Sequence, residues 1–197
     1  MSIRHSLLAL LHEEPMYGAQ LRTEFETRTG GTWPLNVGQV YTTLARLERD
    51  GLVEAAGAAD ADGRIAYRLT EQGRAQVALW WASPVNRDDT PRDELIIKLA
   101  LAVTVSGVDV PAVVQTQRTA TLRHLQDLTR LYRAAEDRAD TGRREPADLA
   151  WLLVLENLRY AAEAEVRWLD HVEARLARET MLPPVAAPAP ALQEVLR

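Results

Sequence analysis

Residues 36–49 carry side chains suited to reading the edge of another molecule. On a 3.6-residue period Gln39, Thr42, Thr43 and Arg46 fall away from a stripe formed by Val40, Leu44 and Leu47. A helix with an apolar back and a front of amide, hydroxyl and guanidinium groups can lie in the major groove of duplex DNA. There an amide pairs with adenine, a guanidinium with guanine, and a threonine methyl with the thymine methyl. Asn36 is a good N-cap, Gln39 is spaced to complete a capping box, and Gly51 ends the helix. Arg46 suits a guanine edge and a phosphate equally. Taken alone, the same face also describes an ordinary solvated helix surface.

Such a helix must be held by its neighbours. Ile3, Leu7, Leu10 and Leu11 recur at helical spacing until Glu13, Glu14 and Pro15 break the pattern. A second helix fits residues 17–28, with Tyr17, Leu21 and Phe25 on one face and Gly30 and Gly31 past its end. After Gly51 the period changes: 52–55 and 65–69 read as short strands around a glycine-bounded tip at 57–63. A fourth helix starts near Thr70 and carries Val77, Trp80 and Trp81. Three helices, a hairpin and a helix are the plan of a winged helix-turn-helix, predicted over residues 1–82.

Residues 83–90 are polar, contain Pro84 and read as a linker; residues 91–180 then read as all-helical. Thr90 and Pro91 suit a cap and a first helical position, with Asp93 favouring the positive end of the dipole. Leu95, Ile96, Leu99 and Val103 supply that helix's apolar face. Asp109 can cap a long helix to about 137, and a last helix spans about 146–178. In it Trp151, Leu155, Leu158, Ala162, Leu169, Val172 and Leu176 follow steps of four and three, with Glu165 the polar exception. Val114, Thr121, Leu125, Leu128, Tyr132 and Ala135 fit the same register in the preceding helix. Two long amphipathic helices make a poor independent core, so a second copy of the chain is the simplest partner. Trp151, Leu155, Leu158, Leu169, Val172 and Leu176 are the predicted dimerisation residues. The fold class is mainly α, and the Pro/Ala-rich stretch 181–197 is expected to be a mobile tail.

Composition narrows the function. No run of about 18 apolar residues spans a membrane, and the N-terminus lacks the order of a signal peptide, so a cytoplasmic protein is expected. Without cysteine there is no disulfide, thiolate metal site or thiol nucleophile. His5 and His12 lack a third ligand, and neither a cofactor nor a metal is expected. Glycine-rich phosphate loops, nucleophile elbows and zinc-protease motifs are missing, so the chain does not read as an enzyme. The net charge of −5 argues mildly against a nucleic-acid binder, but DNA needs only a local basic stripe.

Several motifs occur together and in order. They are Pro15, Met16, Tyr17, Gly18 and Leu21; then Gly38 through Val53, with Tyr41, Leu44, Leu47 and Gly51; then Arg64, Tyr67, Leu69, Thr70 and Gly73. In this order and spacing, over most of the first 75 residues, the chain resembles the PadR family of bacterial regulators, and its C-terminal helices resemble the larger subtype. The resemblance implies a homodimer that usually represses transcription from a pseudo-palindromic operator. It places Tyr41, Thr42 and Arg46 on or beside the recognition surface and Arg64 at the wing, with Tyr67 either bracing the wing or reaching a phosphate. Asp60 and Asp62 depart from that picture, because acidic groups at the wing tip repel phosphates. The wing contacts then fall to Arg64 and Arg68, although a structural role suits Arg68 equally. The assigned DNA-binding set is Asn36, Gln39, Tyr41, Thr42, Thr43, Arg46, Arg64 and Arg68. Some members of the family bind flat aromatic effectors, so Trp80, Trp81, Trp151 and Trp168 form a candidate pocket, against the plainer reading that they pack. The rival from another class is a winged-helix protein-interaction module that no longer binds DNA.

Overall fold

Leu7, Leu8, Leu10 and Leu11 are all buried, so the first helix, α1 (Ile3–Leu11), is held by its apolar side. The computed structural model describes residues 3–61, 63–85, 92–140 and 145–181. The strand β1 (Met16–Tyr17) and the helices α2 (Gly18–Arg28) and α3 (Val37–Arg49) follow α1. The strands β2 (Val53–Ala55) and β3 (Ala66–Leu69) form the wing, and α4 (Glu71–Ala82) closes the head. The sequence misses β1, whose two residues are too few to show alternation. It pairs antiparallel with β3, Met16 opposite Tyr67 and Tyr17 opposite Ala66, giving a sheet of order β1-β3-β2. This is a winged helix, and one continuous core of buried side chains from α1 to α4 holds it together.

Caps fix the ends of these elements. The Thr70 hydroxyl accepts from the Gly73 N–H at 3.0 Å and donates to the Gly51 carbonyl at 2.7 Å, tying the start of α4 to the end of α3. Asn36 caps α3 by accepting from the Gly38 N–H at 2.8 Å. The expected capping box at Asn36 and Gln39 is therefore replaced by a simple cap. The reciprocal reach occurs one helix earlier, where the Gln20 side chain accepts from the Tyr17 N–H at 2.8 Å.

The remaining helices are α5 (Glu94–Ala102), α6 (Val110–Asp140) and α7 (Pro146–Met181). The start of α5 corrects the expectation from Thr90 and Pro91. Asp93 is the cap, its carboxylate accepting from the N–H groups of Leu95 and Ile96 at 2.9 and 3.2 Å, so the helix begins at Glu94. Asp109 caps α6 as read, accepting from the Ala112 N–H at 3.0 Å. Residues 86–91, with Thr90, Pro91 and most of the expected linker, lie outside the described residues, as do Asp62 and the tail from 182.

The chain divides into two compact units, and α6 and α7 contribute to both. One comprises Met1–Pro91 with Leu128–Leu158; the other comprises Arg92–Asp127 with Arg159–Arg197. The second is built on Leu99, Val114 and Leu169, with Leu95, Val110, Trp168, Val172 and Leu176 packed against them. Its polar interruptions answer each other. Glu165 accepts from the Thr121 hydroxyl at 2.5 Å and the Gln117 amide at 2.9 Å, so the break in the α7 stripe meets the break in the α6 stripe.

Candidate nucleic-acid interface

The back of α3 is fully sealed: Val40, Leu44 and Leu47 are each 0% exposed. Its ends are pinned as well. Asp50, which follows its last turn, pairs with Arg4 of α1 at 2.6 Å, and that guanidinium holds the carboxyl below the usual carboxylate range. Ahead of α3, the Leu35 N–H donates to Glu26 at 3.1 Å and the Leu35 side chain is buried. Leu35 is thus a packing residue of that turn.

With its back and ends fixed, α3 turns Gln39, Tyr41, Thr42 and Arg46 outward, with Thr43 half-buried beside them. Thr42 and Thr43 donate their hydroxyl protons to the carbonyls of Gly38 and Gln39 at 2.8 and 2.7 Å. Outward they present lone pairs and methyl groups. Among the described residues Arg46 has no carboxylate partner. The Asn36 side chain is occupied by its cap.

Tyr41 also packs toward α2: a Cβ on Gly18 would stand 2.8 Å from its ring, so the tyrosine-glycine motif opening α2 makes room for α3. Tyr67 is half-buried against the core of the head, and burial, with Glu48 and Tyr41 nearby, pushes its hydroxyl pKa up. That position matches bracing of the wing.

The wing arginines are exposed and engaged. The Arg64 Nε lies 3.0 Å from an Asp60 carboxylate oxygen, and the guanidinium stands 5.5 Å above the Tyr17 ring. Arg68 points to solvent and donates to Glu54 at 2.9 Å, directly across the hairpin. Glu54 escapes the sequence reading; the alternation of the two strands, aligned on Val53 and Leu69, is the signal that could find it.

Of the tryptophans in the candidate pocket, Trp80, Trp81 and Trp151 belong to one unit and Trp168 to the other. Trp80 stacks on His5 with centroids 5.6 Å apart and rings within 6° of parallel, and Trp81 sits tilted beside it, 67% exposed. Trp151 lies against the backbone of Gly30, where a Cβ would fall 2.0 Å from its ring. Trp168 packs in the core of the other unit. Trp80, Trp151 and Trp168 thus each spend a face on a neighbour within their own unit.

Of the dimerisation set, Leu155 and Leu169 are already 0% exposed within a single chain. Val172 and Leu176 pack on the second unit's core, and Leu158 and Trp151 are half-buried. The stripe on α7 therefore serves the chain's own core first. Exposed apolar side chains lie elsewhere, notably Ile96, Ile97 and Leu101 of α5 at 54%, 46% and 57%.

Among the described residues no helix is long and apolar enough to cross a membrane. Residues 7–79 match the transcriptional regulator PadR-like family, and residues 91–177 match the virulence activator alpha C-terminal family. The probable transcriptional regulator Rv1176c of Mycobacterium tuberculosis is 28% identical over 186 residues, covering 89% of this chain and 98% of that protein. The crystal structure of Bacillus subtilis PadR with operator DNA has a TM-score of 0.64 at 20% identity, over 88% of this chain and 97% of that one. The complex of the same protein with p-coumaric acid gives 0.67 at 21% identity, over 90% and 99%. Sealed helix, braced wing and family match agree on the head: residues 7–79 form a domain of the PadR-like family of transcriptional regulators, followed over 91–177 by the virulence activator alpha C-terminal match.

Proposed function

We propose that the chain binds duplex DNA as a homodimer and represses transcription from a pseudo-palindromic operator. The observation that carries this reading is the face of α3, sealed behind by Val40, Leu44 and Leu47 and open in front at Gln39, Thr42 and Arg46. In a dimer two such helices enter successive major grooves about 34 Å apart. Gln39, Thr42 and Arg46 read base edges, and Arg64 and Arg68 contact phosphates.

The dimer reading rests on α5. Its sequence is apolar nearly all round, with Glu94 and Lys98 its only charged residues, and a helix of that kind is stable when it is covered on every side. Its own chain buries Leu99 and Ala102 and leaves Ile96, Ile97 and Leu101 in water. A second copy covers them. A small aromatic effector is part of this reading, supported by the relative solved with p-coumaric acid, and the exposed ring of Trp81 beside Trp80 offers it a stacking surface. The effector would release the DNA by preferring a dimer whose reading helices are differently spaced.

The test is a fluorescence-anisotropy titration against the DNA upstream of the protein's own gene, beside a shuffled duplex, at two salt concentrations. Selective binding that weakens steeply with salt is expected. Binding to neither duplex at either salt, from a protein shown to be folded, would favour a protein-interaction module.

A further inference from the structure

The wing neutralises its own cations. Glu54 stands opposite Arg68 in the β2–β3 pairing and accepts from its Nε at 2.9 Å. Asp60 accepts twice from Arg64, from its backbone N–H at 2.8 Å and its Nε at 3.0 Å, while the Asp60 N–H returns a bond of 2.9 Å to the Arg64 carbonyl. Arg46 on the reading helix has no such partner among the described residues. The arginine aimed at bases is left open, and both arginines placed to meet phosphates are held by carboxylates.

This difference separates two kinds of binding. Sequence-independent affinity for DNA comes almost wholly from neutralising phosphates, whereas selectivity comes from base edges. A phosphate reaching either wing guanidinium must displace a carboxylate or sit beside it. The protein's overall charge of −5 acts weakly at that point, because charges beyond about 8–10 Å are screened at physiological salt. Adjacent carboxylates are not screened in this way.

We propose that Glu54 and Asp60 are specificity-determining residues, which hold Arg68 and Arg64 back from phosphates and so weaken sequence-independent binding more than operator binding. The proposal rests on the reading that α3 and the wing face DNA. Exposed ion pairs are worth little, so the carboxylates tune affinity and do not abolish it.

Glu54→Gln and Asp60→Asn test it, since both keep the shape of the side chain and the second leaves an amide oxygen to accept from the Arg64 N–H. Each full-length variant is titrated with a random-sequence duplex and with the tightest-binding duplex from the upstream region, over a salt series. Each variant is expected to bind the random duplex about twofold to fivefold more tightly. The slope of log affinity against log salt should steepen by about 0.9 for each released arginine that gains a phosphate. The selected duplex should gain less, so the ratio of the two affinities falls. Unchanged or weaker binding of the random duplex by folded variants overturns the proposal alone. If wild type and variants bind neither duplex even at low salt, the DNA-binding reading itself fails and takes the proposal with it.

Discussion

Thr42 and Thr43 return their hydroxyl protons to their own helix, which leaves Gln39 and Arg46 as the stronger donors on the front of α3. Arg46 is the one able to grip two acceptors of a guanine at once. Arg46→Ala is therefore expected to cost about 1–3 kcal/mol of operator affinity while leaving random-duplex binding nearly unchanged. An equal loss on both duplexes would move Arg46 to the phosphates. His5 supports a prediction about pH. Burial, aided by the charge of Arg4, lowers its pKa below the ordinary value of 6.5, and its ring lies flat on Trp80. Above the ordinary value the imidazole is neutral whether the chain is folded or not. Below it the unfolded chain takes up a proton that the folded chain resists, so stability falls as pH drops until the lowered folded pKa is passed. The melting temperature should decline between about pH 7.5 and 5.5, the range around an ordinary histidine, and His5→Phe, which keeps a stacked ring, should flatten that decline. Parallel profiles for the two proteins would remove His5 as the cause.

At the scale of elements, the joint between Gly30 and Trp151 carries the clearest consequence. Gly30 has a φ of +60°, and its missing side chain is where the Trp151 ring lies. Gly30→Ala adds backbone strain, more than about 1 kcal/mol of destabilisation for a residue in that conformation, and also expels the ring. In a Trp151→Ala background only the strain remains. A double-mutant cycle by denaturant unfolding should accordingly show the alanine costing less when Trp151 is absent, and strict additivity would mean the contact does not matter. The joint also marks how far the sequence could be read. Where one element's residues suffice, as in the stripe at Val40, Leu44 and Leu47 or the caps at Asn36, Thr70 and Asp109, the order of helices and the reading face follow from spacing. Asp93 displaces Thr90 as a cap because two residues of good capping chemistry lie three apart, and only geometry chooses between them. Contacts across long separations leave no local trace: nothing near Gly30 announces Trp151, and Glu54 meets Arg68 only once the two strands are aligned on Val53 and Leu69. Glu165 is instructive in the same way, since its break in the α7 stripe is explained only once Thr121 and Gln117 are seen to face it.

At the scale of the whole molecule, the question is which surface a second copy covers. The stripe on α7 is a poor place to test it, because Leu169 is completely enclosed by its own chain and a charge there would unfold the unit. Ile97 and Leu101 of α5 lie one helical turn apart, opposite the buried Leu99 and Ala102 side, and both are about half exposed. The double variant Ile97→Glu, Leu101→Glu should fold as a single chain, with helical circular dichroism unchanged, because neither residue supports the core. In sedimentation it should move from dimer to monomer, since two or more charges buried in an interface without partners cost several kcal/mol. Losing the dimer also removes the coupling between two reading helices, so affinity for a two-half-site duplex should drop toward that for a single half-site. A variant that still sediments as a dimer would place the partner surface elsewhere. A folded monomer that keeps full affinity would show that DNA is read one head at a time, and the palindromic operator would have to be abandoned while the reading face of α3 stands.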